Sequence, residues 1–130
     1  MRNAPFDDAS ARQLAAFAEP VYLHQAVQKE NGSLTRFVDL PQALAAGGAA
    51  AGAELRVHFH VPVFLEQMEH FGTTQAFLAQ ILAQHRAEPI SRHLEVETYT
   101  WDVLPKAYRT AELSAAIARE LDWVKAQLLQ

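Results

Sequence analysis

The residues from His93 to Pro105, HLEVETYTWDVLP, constrain this chain more than any other stretch. Read as an extended strand, they send Leu94, Val96 and Thr98 to one face and His93, Glu95, Glu97 and Tyr99 to the other. Two neighbouring carboxylates are costly to bury unless a cation, a metal or hydrogen-bond donors meet them. That face is therefore expected to look onto solvent, a partner charge or a polar site. Suitable partners stand in an earlier stretch, Arg56 to Pro62, where alternation places Arg56, His58 and His60 together and Leu55, Val57 and Phe59 opposite. The two polar faces are expected to point at each other.

A third strand-forming stretch, Val21 to Val27, carries His24. Between and around the strands the chain reads as helix. Residues 7–18 have Asp7, Asp8 or Ser10 to cap them, and Glu19-Pro20 ends that helix. Asn31-Gly32 signals a turn, leading to a loop or a small hairpin. Asp39 caps a short helix with Pro41 in its first turn, which runs into an Ala/Gly stretch ending at Ala53. Thr73 or Thr74 opens a helix with Phe77, Leu78, Ile81 and Leu82 at helical spacing. The last helix starts near Thr110, with Leu113, Ile117, Leu121, Val124 and Leu128 as its expected buried stripe.

The three strands begin near residues 21, 55 and 93, which is the spacing of strand-helix-strand units and predicts parallel strands with right-handed crossovers. One side of those strands is apolar and the other collects His24, His58, His60, Glu95, Glu97 and Tyr99. Such asymmetry suits the wall of a barrel better than a doubly wound sheet. The fold expected is α/β, a partial (β/α)8 TIM barrel of about three parallel β-α units. A whole barrel takes about 250 residues, so a single domain of 130 residues reads as its C-terminal portion.

Half of the residues are apolar, enough for a core. A net charge of −4 without a basic run argues against nucleic-acid binding. The absence of cysteine removes disulfides and thiolate chemistry and fits a reducing compartment. No window approaches the roughly 18 apolar residues of a membrane span, and the first residues lack a signal-peptide core, so the expected setting is cytoplasmic and away from membranes.

The segments Glu19-Pro-Val-Tyr-Leu-His24-Gln25, Arg56-Val-His58-Phe-His60-Val-Pro62-Val-Phe64, His93 to Pro105 and Arg119-Glu-Leu-Asp-Trp123-Val resemble the C-terminal third of the Ebo-type metabolite traffic proteins. These are similar to the xylose isomerase-like, sugar phosphate isomerase/epimerase superfamily of TIM barrels. The resemblance runs from about Pro20 to Leu128. It implies a divalent ion, Mn²⁺, Zn²⁺ or Mg²⁺, held by acids and histidine at the ends of late strands. The positions matching that pattern are Glu97 and the histidines His58 or His60. It further implies Glu97 as the group that moves a proton on a small polyhydroxylated metabolite. The earlier strands that supply the remaining ligands in such enzymes have no counterpart here. The missing N-terminal barrel portion, or self-association through strand edges left unpaired, is then the expected completion. The subgroup is tied by gene-cluster association to handling or export of a small precursor metabolite, which makes a non-catalytic binding or trafficking module the alternative.

From the residues alone, His58, His60 and Glu97 read first as a hydrogen-bonded polar layer and second as a metal site with an open position, and the resemblance brings the two readings level. His24 is a candidate substrate contact or a satisfied structural histidine. Tyr99 and Trp101 stand just past the strand end, where an aromatic face can stack on a sugar ring or simply anchor the loop.

Overall fold

The computed structural model describes residues 1–46, 52–97, 101–109 and 112–130. Its centre is an antiparallel sheet of six strands: β1 (Arg2–Asn3), β2 (Ala26–Glu30), β3 (Ser33–Phe37), β4 (Glu54–Val57), β5 (Gln67–Met68) and β6 (Phe71–Gly72). Their order across the sheet is β3-β2-β4-β1-β6-β5. Asn31 and Gly32 take the positive φ values, 49° and 82°, that a tight hairpin demands, and they fold β3 back on β2. β4 then pairs antiparallel with the other side of β2, Val27 opposite Arg56 and Gln28 opposite Leu55.

This arrangement overturns the partial TIM barrel. β2 and β4 run in opposite directions, and residues 91–97 form no strand. The physical reason lies in the Asn31-Gly32 turn. It inserts β3 into what reads as a single crossover, and each extra strand reverses the chain, so the spacing of a strand-helix-strand unit is met by an antiparallel ribbon. The connection that remains, α2 (Leu40–Ala45), is a six-residue helix. It is capped by Asp39, whose carboxylate accepts from the Leu40 amide at 2.9 Å. In the stretch that suggested the central strand, Leu94 is half exposed and Ser91 bonds His93 locally through both its backbone groups.

The helices follow the sequence more closely. α1 (Asp8–Leu14) begins with a reciprocal cap between Asp7 and Ser10 and tightens into a 3₁₀ turn, Ala15–Phe17, before Pro20. α3 (Gln75–Ala87) and α4 (Leu113–Leu128) pack on each other, and Arg86 donates to the Gln127 carbonyl at 2.7 Å. The face α4 buries is rotated from the expected stripe. Ala116 and Glu120 are buried, whereas Leu113 and Leu121 are exposed. The inner sheet face, with Ala26, Leu55 and Val57, closes on Phe6, Leu14, Phe17, Leu40 and Phe71. Phe17 is the hinge of this core, edge-on to Phe59 at 5.2 Å and to Phe71 at 5.6 Å. Among the described residues no helix is long and apolar enough to cross a membrane.

Candidate functional site

β4 leaves the sheet at Val57 and continues as an extended chain through His58, Phe59 and His60 to Pro62. Alternation persists there. The Phe59 side chain is buried in the core, while His58 and His60 turn to the opposite side. Their rings stack with centroids 5.1 Å apart and bring the two Nε2 atoms to 3.1 Å.

The segment carrying Glu97 crosses beside them. His60 Nδ1 lies 3.2 Å from the Glu97 carbonyl oxygen and 3.7 Å from its carboxylate. A carbonyl only accepts, so the tautomer of His60 that satisfies this contact carries hydrogen on Nδ1, and its Nε2 lone pair then accepts from His58 Nε2–H. Burial, and then the neighbouring His60 ring, hold the His58 imidazole below the ordinary histidine range, against the upward pull of Glu97. A neutral His58 is the form that can donate through one nitrogen and accept through the other.

These groups stand at the mouth of a cleft of about 390 Å³ between the end of β4, the 93–97 segment and the α3/α4 pair. Val61, Leu78, Leu82, Val96 and Val124 make its apolar walls. Thr74, Glu95 and Glu120 add polar groups. Glu120 is buried, and its Oε2 accepts from the Val63 amide at 3.1 Å. Sequence reasoning missed it, because a glutamate in an amphipathic helix reads as part of the solvated face.

Of the expected site residues, His58, His60 and Glu97 lie side by side, Glu97 nearest through its backbone carbonyl and with its carboxylate largely exposed. Trp101 opens a 3₁₀ turn, Trp101–Val103, packs half-buried on the core and shares a small crevice with His60, Pro62 and Glu97. His24 is placed elsewhere. It is buried, stacked on Phe59 at 4.4 Å, with Nε2 donating to Glu19 Oε1 at 2.9 Å and Nδ1 facing the His58 carbonyl at 3.3 Å. It supports the strand that carries His58 rather than lining the cleft. Tyr99 lies outside the described residues.

As a metal site the arrangement is partial. Two nitrogens bound to one tetrahedral ion at about 2.0–2.1 Å stand roughly 3.3 Å apart, close to the separation of the two Nε2 atoms. The Glu97 carboxylate, however, faces Nδ1, the opposite edge of the His60 ring, where it orients a ligand instead of joining it. Among the described residues no group of three or more histidines, cysteines, aspartates or glutamates converges on one point. Comparison of the chain with family models, with curated proteins and with solved structures returns no match.

Proposed function

We propose that this chain binds a small polyhydroxylated metabolite in the cleft, in the cytoplasm, with His58, His60 and Glu97 as the polar groups that orient it. The observation that carries the reading is the meeting of the two imidazoles and Glu97 at the mouth of a cleft of about 390 Å³ with apolar walls. Small-molecule sites have this character: an apolar hollow of roughly 300–1,000 Å³ with a few convergent polar groups. Imidazole and carboxylate offer both donors and acceptors, which is what a run of hydroxyls requires. The lack of cysteine fits the compartment.

The 3.1 Å approach of the two Nε2 atoms favours a second reading, a metal-assisted isomerase or epimerase. A Mn²⁺, Zn²⁺ or Mg²⁺ ion on His58 and His60 would polarise a substrate carbonyl. Glu97 is then the residue placed to take and return a carbon-bound proton, with His60 beside it to hold the carboxylate in position.

Isothermal titration with a panel of pentoses, hexoses and inositols, with and without Mn²⁺ or Zn²⁺, tests both readings. The binding-module reading expects saturable, metal-independent binding of at least one polyol that weakens roughly tenfold or more in Glu97→Gln and His60→Ala. Binding that needs the ion, together with exchange of a substrate C–H for deuterium, supports the enzyme reading. No binding of any polyol, or equal binding by the variants, overturns both.

A further inference from the structure

We infer that the outer face of the sheet is a docking surface for an acidic peptide segment of a partner protein, one that carries an apolar anchor between its carboxylates. The face is defined by strand register. Arg36 stands opposite Val27, Val27 opposite Arg56, and Arg56 opposite Arg2, so one row across β3, β2, β4 and β1 is arginine, valine, arginine, arginine on a single side. The next row holds Leu34, Lys29 and Glu54. Within these two rows Glu54 is the single acid, in a chain whose net charge is −4. Four of the chain's eleven lysines and arginines, Arg2, Lys29, Arg36 and Arg56, stand together on this face.

The face is also open. Arg2, Lys29, Arg36 and Arg56 are all exposed, and the N-terminal end of α3 lies beside the part of the face with Arg2, Val27 and Arg56. Between α3 and the sheet runs a groove of about 490 Å³ that includes Arg2, Val27, Arg56, Thr74 and Phe77. Phe77 is 62% exposed at its rim, and Leu34 is 54% exposed on the far side. Like charges set directly across a ladder repel, and here Glu54 alone offsets them, bridging Arg2 at 2.9 Å and Arg56 at 2.6 Å. Glu54 thus marks how a carboxylate sits between two strands of this face. Among the described residues no carboxylate bridges Arg36 or Lys29, on β3 and β2, and an acidic segment lying across the strands supplies one while its apolar residue covers Val27 and Phe77.

The groove adjoins the metabolite cleft and shares Met1, His58 and Thr74 with it, whereas Lys29 and Arg36, the residues its test changes, line neither the cleft nor the groove. Fluorescence anisotropy with a labelled Glu-rich peptide bearing one central Leu is the assay, run beside the same peptide with Lys for Glu and beside phosphatidylserine vesicles. The expected result is saturable binding of the acidic peptide, lost as salt rises. It should fall roughly tenfold or more in the double variant Lys29→Glu/Arg36→Glu and stay unchanged in Arg92→Glu, an exposed charge elsewhere. All three positions are exposed, so folding is checked simply by matching circular dichroism. Absent binding, equal binding of the Lys peptide, equal losses in Arg92→Glu and the double variant, or binding to vesicles but not to the peptide would each overturn the proposal.

Discussion

His24 and Glu19 meet inside the protein, Nε2 to Oε1 at 2.9 Å, directly behind the strand that presents His58. Glu19 also accepts from the amides of Val21, at 2.5 Å, and Tyr22, at 3.0 Å. Burial works against its ionisation, yet those amides and the His24 ring outweigh it and hold the carboxyl below its usual range. A lowered folded pKa means that the unfolded chain binds more protons as the solution is acidified. The stabilisation from Glu19 is therefore complete above the usual glutamate value of about 4.3 and is lost as pH falls below it. Urea unfolding from pH 7 to pH 3 should show a smaller acid loss for Glu19→Gln than for the native chain. Parallel pH profiles for the two would remove this role.

A second carboxylate is held lower still. Hydrogen bonds from Arg2 and Arg56 bring Glu54 down to about 2. Its carboxyl carbon, followed by NMR, should titrate with a midpoint near that value and move up towards the ordinary range in Arg56→Ala. The flanking arginines are solvent-exposed, so high salt should produce part of the same shift.

Phe17 fixes the core by edge-on contact with Phe59 and Phe71. Truncation to Ala removes a buried ring and its aromatic contacts with Phe59, Phe71 and Tyr108. The expected loss is about 3–5 kcal/mol of unfolding free energy, read from urea melts. A loss below 1 kcal/mol would mean that the ring is not packed as described.

Local signals in the sequence were legible and long-range ones were not. Asp7, Asp39 and Pro20 bound helices because caps and breakers act through neighbouring backbone atoms. Asn31-Gly32 forms its hairpin for the same reason. The alternation of Arg56, His58 and His60 against Leu55, Val57 and Phe59 also survives, even past the end of β4, because it needs only extended backbone. What the residues could not disclose was strand partnership. β1, β5 and β6 are two residues each, too short to carry a pattern, and they gain their place solely by pairing. The 93–97 segment has the alternation of a strand without a partner. At the site, His60 and Glu97 meet because that segment crosses β4's continuation, whereas Glu120 reaches the cleft by a rotation of α4 that buries Ala116 in place of Leu113.

The direction of β4 against β2 separates this fold from parallel β-α units. Backbone NOEs should follow a ladder in which residue numbers rise along β2 from Ala26 to Lys29 while they fall along β4 from Val57 to Glu54. A ladder rising on both strands would restore the parallel arrangement.

The cleft at His58, His60 and Glu97 is the centre of the functional account, and the imidazole signals of the two histidines report on it most directly. Assigned Cε1–H resonances of His58 and His60 should shift together, with one saturation curve, as a binding polyol is added, while that of His70, exposed between β5 and β6 and outside the cleft lining, stays in place. A polyol that binds by calorimetry yet leaves both the His58 and His60 signals unmoved would contradict the account.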